Sequence, residues 1–118
     1  MQQHDVRCLF KLLWCHDLFV VINFDGLAVV KDEIIAGGFE LIVVDEANAY
    51  KNAQTNRWKV LRDVSVHSEW LWMLTGTPAA QSPVDAFGLA KLINPDNVPR
   101  YFGQFRDKVM YKLTQYKW

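Results

Sequence analysis

Four consecutive apolar residues, Leu41-Ile42-Val43-Val44, run without a break into two acids, Asp45-Glu46. A strand that is apolar at every position, rather than at alternate ones, belongs in the middle of a parallel sheet, where both faces are covered. That single segment makes demands on its surroundings. It needs neighbouring strands in the same direction, and it needs helices to connect them.

The flanking sequence supplies both. Phe19-Val20-Val21-Ile22-Asn23 is a short apolar, β-branched run and predicts a buried strand. Trp70 to Leu74 predicts another, with Trp70 and Trp72 as packing residues. Helices are expected between them. Val6, Leu9, Phe10 and Leu13 form an i, i+3, i+4, i+7 stripe over residues 5–16. Leu27 to Ala36 reads as a helix with Leu27, Val30 and Ile34 inward, stopped by Gly37-Gly38. Thr55 to Val64 places Trp58, Leu61 and Val64 on one side. The next helix has Ser82 as cap, Pro83 in its first turn and Asp85 at the capping-box position. Its inner face is expected to be Ala86, Leu89, Ala90 and Ile93, and Asn94-Pro95 ends it. A last helix over 101–113 would turn Phe102, Phe105 and Val109 inward. Strands alternating with helices give an α/β fold built of βαβ units.

Composition narrows the function classes. The 118 residues are 51% hydrophobic and 22% charged, the balance of a folded domain. Thirteen basic and thirteen acidic residues leave no net charge, so net charge gives no argument for a nucleic-acid or membrane partner. The distribution is uneven. Residues 100–118 hold five basic residues and one acid, and the region is rich in aromatics. That pattern points to nucleic acid, or to a solvated helix with its aromatics turned into the core. His4, Cys8, Cys15 and His16 fit no standard zinc spacing. The two cysteines suggest no disulfide scaffold, so a reducing, cytoplasmic setting is expected. The apolar stretch from Leu9 to Val30 is broken by Lys11, His16, Asp17, Asn23 and Asp25, so no membrane partner is expected.

In parallel α/β sheets, ligands sit beyond the carboxyl ends of the strands. Asp45-Glu46 and Thr75-Gly76-Thr77 both fall at such ends. An apolar strand ending in two acids is the Walker-B arrangement. The first carboxylate faces a Mg2+ between nucleotide phosphates, and the second orients and deprotonates an attacking water. The same residues would also suit a plain strand end whose acids face water.

Asp45-Glu46-Ala47-Asn48 resembles the DEAD/H box, motif II of superfamily-two helicases. Asn23-Phe24-Asp25-Gly26-Leu27 resembles the segment before that box in the Swi/Snf-type branch, and Lys51-Asn52 stands where that branch carries Lys-Asn after it. Leu74-Thr75-Gly76-Thr77-Pro78 resembles motif III in its Swi/Snf-type form. Asn94-Pro95 and Phe102-Gly103-Gln104-Phe105 follow in the family's order, so the resemblance covers nearly everything from Val20 to Trp118. Gln81-Ser82-Pro83 and the tail look most like compact bacteriophage members, which implies a host-cell cytoplasmic location.

The resemblance implies a partial RecA-like P-loop NTPase domain, with a parallel sheet of about three strands and helices on both faces. It implies ATP and Mg2+ as cofactors and DNA, single- or double-stranded, as partner. Asp45 would bind Mg2+ through water and Glu46 would be the catalytic base. Thr75, Gly76 and Thr77 would couple hydrolysis to movement by contacts with motif II, formed by Asp45, Glu46, Ala47 and Asn48. Lys51 is a phosphate or nucleic-acid contact, or a solvated lysine after a turn.

The chain departs from the pattern in three places. No G-x-x-x-x-G-K-[ST] run occurs in the 118 residues. Its absence removes the backbone cradle and the lysine for the β- and γ-phosphates. Asn48 stands where the box usually has His or Asp, and Ala80 where Gln is usual. By resemblance the chain is expected to be a fragment of the first motor domain, residues 1–118, without the Walker A segment or the second RecA-like domain of the same parent chain. A non-catalytic DNA- or protein-binding module, or a decayed product, stays open beside that reading.

Overall fold

A computed structural model describes residues 19–113. The helix expected over 5–16 lies outside the described residues. Helix α1 spans Phe24–Val29 and α2 spans Lys31–Gly37. Strand β1 covers Leu41–Val44, followed by a 3-10 turn at Ala47–Tyr50. Helix α3 covers Asn56–Ser65 and strand β2 covers Trp70–Met73. A second 3-10 turn, Pro83–Ala86, leads into α4, Phe87–Ile93, and α5 covers Phe102–Val109.

The two strands are parallel, with Leu41 opposite Trp70 and Val44 opposite Met73. The β1–α3–β2 connection is the expected βαβ unit. Two further bonds extend the ladder at its ends. Trp70 N–H donates to Glu40 O at 2.8 Å, and Leu74 N–H donates to Val44 O at 2.8 Å.

Local sequence explains most boundaries. Thr55 caps α3, its hydroxyl accepting the Trp58 N–H at 3.2 Å. Gly38 ends α2 in the left-handed conformation, φ 64°. Ser82 and Asp85 form the capping box around Pro83. Helix α3 buries Trp58, Leu61 and Val64. These pack with Leu27, Val30, Ile34, Val44, Ala47, Tyr50, Leu89 and Leu92 in one core. Lys31 of α2 reaches Asp63 of α3 at 3.0 Å. Hydrogen bonds from Arg62 and then Lys31 hold the Asp63 carboxyl below its ordinary value.

Several expectations are corrected. The sheet has two strands among the described residues, not three. Residues 19–23 form no strand, because no backbone bond ties them to β1 or β2. Val20 and Ile22 lie against the core, and Phe19 and Val21 are exposed. The helix expected from Leu27 to Ala36 is two helices. It starts earlier, where the Asn23 side chain accepts the Gly26 N–H at 2.7 Å, and it breaks at the fully buried Val30, φ −109°. Leu27, Val30 and Ile34 do point inward.

Helices do not cover both faces of the sheet among the described residues. Trp70 and Trp72 are 57% and 56% exposed, not packed. The inner face of α4 is Phe87, Gly88, Leu89 and Leu92, while Ile93 is exposed. The 3-10 start explains the rotation, since it advances about 120° per residue against about 100° in an α-helix. Helix α5 ends at Val109, and Phe102 and Val109 are 47% and 38% exposed instead of buried. Phe102 and Phe105 both set their rings against Phe87, at 5.6 and 5.3 Å. No helix among the described residues is long and apolar enough to cross a membrane.

Candidate functional site

Strands β1 and β2 run side by side in the same direction, so the loops after them emerge together. Asp45 and Glu46 leave β1, and Thr75-Gly76-Thr77 follows β2. Asp45 and Glu46 are both exposed. Glu46 has φ 50° and ψ 48°, the only non-glycine residue with positive φ among those described. A side chain in the left-handed region is costly unless its neighbours enforce it. Two hydrogen bonds do so here. Asp45 Oδ1 accepts the Glu46 N–H at 2.9 Å, and Leu74 O accepts the Ala47 N–H at 2.9 Å. The second bond ties the acidic loop to the end of the neighbouring strand.

A side-chain bond joins the same two loops further out. Asn48 Nδ2 donates to Thr77 Oγ1 at 2.6 Å. Thr75 does something different. Its Oγ1 accepts the Thr77 N–H at 3.2 Å, which closes its own turn. Of the two threonines, Thr77 reaches the acidic loop and Thr75 shapes the loop that carries it. Gly76 has open space around it. The amide of Asn48 makes this contact without carrying a charge.

Ala47 and Tyr50 anchor the 3-10 turn in the core. Tyr50 packs edge-on against Phe24, ring centroids 5.4 Å apart. Burial pushes its phenol above the ordinary 10.0, Arg57 opposes the shift, and Asp25 adds to it. Lys51 ends the turn, its N–H donating to Asn48 O at 3.2 Å. Its side chain is exposed, with no hydrogen bond or ion pair among the described residues.

The basic residues of α3 are mostly engaged locally. Arg57 pairs with Asp25 at 2.9 Å and lies over the Phe24 ring. Arg62 pairs with Asp63 and lies over Trp58. A cleft of about 370 Å3 opens beside Phe24, Asp25 and Arg57, away from Asp45 and Glu46.

Gly88 is not among the residues the sequence pattern singles out, and neither is the bond that Trp58 makes to it. Trp58 Nε1 donates to Gly88 O at 2.9 Å inside the core. Gly88 in turn lies against the backbone of Tyr50 and Lys51. A glycine inside a helix is itself a signal of close approach, because helices disfavour it elsewhere.

The donor set suits one kind of metal. No group of three or more His, Cys, Asp or Glu gathers among the described residues, so a protein cage for a metal is not formed. Mg2+ usually keeps several waters and takes one or two carboxylates plus substrate phosphates. Asp45, with one oxygen engaged by a backbone N–H and the side chain facing solvent, fits that role.

The family model of the SNF2-related domain matches residues 2–117. Among curated proteins, the chain is 31% identical over 85 residues to the SWI/SNF-related matrix-associated actin-dependent regulator of chromatin subfamily A-like protein 1 of Xenopus laevis. That alignment covers 72% of this chain and 9% of the relative. The protein of the same name in Xenopus tropicalis is 30% identical over 84 residues, covering 71% of this chain and 9% of that protein. The chain thus spans 9% of the length of these relatives. No solved structure matches it.

Proposed function

The chain belongs to the SNF2-related domain family, and on that premise we propose that it forms the acidic-centre segment of an ATP-dependent motor that moves on DNA. The observation that carries this reading is the 2.6 Å hydrogen bond from Asn48 to Thr77. It joins the loop with the two acids to the Thr-Gly-Thr loop at the neighbouring strand end. A mere strand end with solvated acids needs no such link.

Mg2+ and ATP, when bound, would supply an activated γ-phosphoryl group. Asp45 would be the carboxylate that holds the cation. Glu46 would orient an attacking water and accept its proton. The enforced backbone at Glu46 supports this role, since it fixes where the carboxylate starts from. Thr77, through Asn48, passes a change at the acids to the loop after β2. Lys51, exposed and unpaired among the described residues, is offered to a phosphate of nucleotide or DNA. On this reading a phosphate cradle and a second RecA-like domain would be contributed by residues other than these 118.

The test is Glu46→Gln in the full-length polypeptide. ATP turnover is expected to vanish while nucleotide binding persists. Normal turnover would remove Glu46 from the mechanism. The alternative reading is a non-catalytic DNA- or protein-binding module. Mg2+-dependent nucleotide binding by the full-length polypeptide separates the two, because the binding module shows none.

A further inference from the structure

We propose that Gly88 is a positioning residue for the acidic loop, and that helix α4 seats that loop only because position 88 has no side chain. A Cβ on Gly88 would lie 2.1 Å from Lys51 O, 2.5 Å from Lys51 C and 2.7 Å from Tyr50 O. All three are backbone atoms. They cannot swing aside as the tip of a flexible side chain would. Ordinary contact begins beyond 3.4 Å, so the helix or the turn must move by about an ångström to admit even a methyl group.

The helix is poorly placed to yield. Gly88 is buried between Phe87 and Leu89, and all three face the interior. Its carbonyl accepts the indole N–H of Trp58 at 2.9 Å, which fastens α4 to α3. The turn is the softer partner, and it leads directly to the acids. Lys51 N–H is bonded to Asn48 O, and Asn48 holds Thr77. Ala47 N–H is bonded to Leu74 O, next to the left-handed Glu46. Displacing Lys51 therefore strains the two bonds that join the acidic loop to the loop after β2. The neighbours of Gly88 are the backbone atoms of Tyr50 and Lys51, not the acids. Gly88 acts through the turn.

The consequence for turnover rests on the hydrolytic reading above, whereas the positioning itself does not. The experiment compares Gly88→Ala with Leu89→Ala, a neighbouring core truncation, in the full-length polypeptide. Amide hydrogen exchange is the first readout. Gly88→Ala is expected to speed exchange at Ala47 and Lys51 by about tenfold relative to the α3 amides. Leu89→Ala should loosen the helices without singling out those two amides. Equal patterns in both variants, or no change at Ala47 and Lys51, overturn the proposal. If Gly88→Ala does not fold, Trp58→Phe replaces it. That change keeps an aromatic ring but frees the Gly88 carbonyl, and it should raise exchange at Lys51 selectively. An unchanged Lys51 amide then overturns the proposal. The second readout is kinetic. Gly88→Ala should lower kcat by about 10²-fold with little change in nucleotide affinity. A selective exchange change in a polypeptide that never hydrolyses ATP would uphold the positioning and sink the hydrolytic reading instead.

Discussion

The two faces of the small sheet have the same chemistry and opposite fates. Ile42, Val44, Leu71 and Met73 lie on one face and belong to the core or pack against it. Leu41, Val43, Trp70 and Trp72 lie on the other and are 40%, 51%, 57% and 56% exposed. Val43 and Val44 are adjacent and identical, yet Val44 is 6% exposed. Side-chain chemistry cannot make that difference. Connectivity does. The single crossover helix α3 covers one face, and α1, α2 and α4 all gather on α3, on the same side. Parallel sheets normally have both faces covered, so the second face carries the apolar sequence of a covered surface without its cover among the described residues.

The sharpest test of that contrast puts one charge on each face. Val44→Lys buries an unpaired ammonium, which costs at least several kcal/mol and should abolish cooperative folding. Val43→Lys lets the charge reach water and should change stability by no more than about 0.5 kcal/mol. Urea unfolding followed by tryptophan fluorescence gives both values. A large loss for Val43→Lys would show that the second face is covered in solution.

Truncation gives the next effect in size. Leu61 is 1% exposed, and Leu61→Ala should cost about 2–5 kcal/mol. Trp72→Ala removes a larger side chain but one already more than half in water, and should cost under about 1.5 kcal/mol. Equal costs would break the comparison. A smaller effect sharpens the role of α3 as the cover. Thr55→Ala removes its N-cap and should cost about 1 kcal/mol, read as a lower urea midpoint with an unchanged slope.

What the sequence disclosed follows the same division between local and distant causes. Thr55, Gly38 and the Ser82–Asp85 box act within a few residues, and they mark the helix ends where the structure has them. Trp58, Leu61 and Val64 repeat at helical spacing, so the covered face of α3 was readable. The acids and the Thr-Gly-Thr loop sit at strand ends, so their neighbourhood was readable too. The exposure of Trp70 and Trp72 was not, because it depends on which side every connection takes. Phe19 to Asn23 has strand composition but finds no partner strand among the described residues, and pairing is a non-local fact. The inner face of α4 departs from its sequence pattern because a 3-10 start turns the helix relative to that pattern. Gly88 carried a local signal, a glycine within a helix, but its partner at Lys51 lies 37 positions away.

The smallest effect at neutral pH comes from Tyr50, on the covered side. Its ring is buried against Phe24, and its folded pKa is raised above 10.0, chiefly by burial. A raised folded pKa means that the neutral phenol is favoured in the folded chain. The corresponding stability is fully present below pH 10 and is lost as pH rises through the folded pKa. Tyr50→Phe keeps the ring and removes the ionisation. It should leave stability near neutrality almost unchanged and flatten the loss above pH 10. The measurement is the urea midpoint across the alkaline range for both forms. An alkaline limb that stays the same in Tyr50→Phe would mean that the Tyr50 hydroxyl already reaches water, and that the boundary between the covered and open regions runs inside the 3-10 turn instead of beyond it.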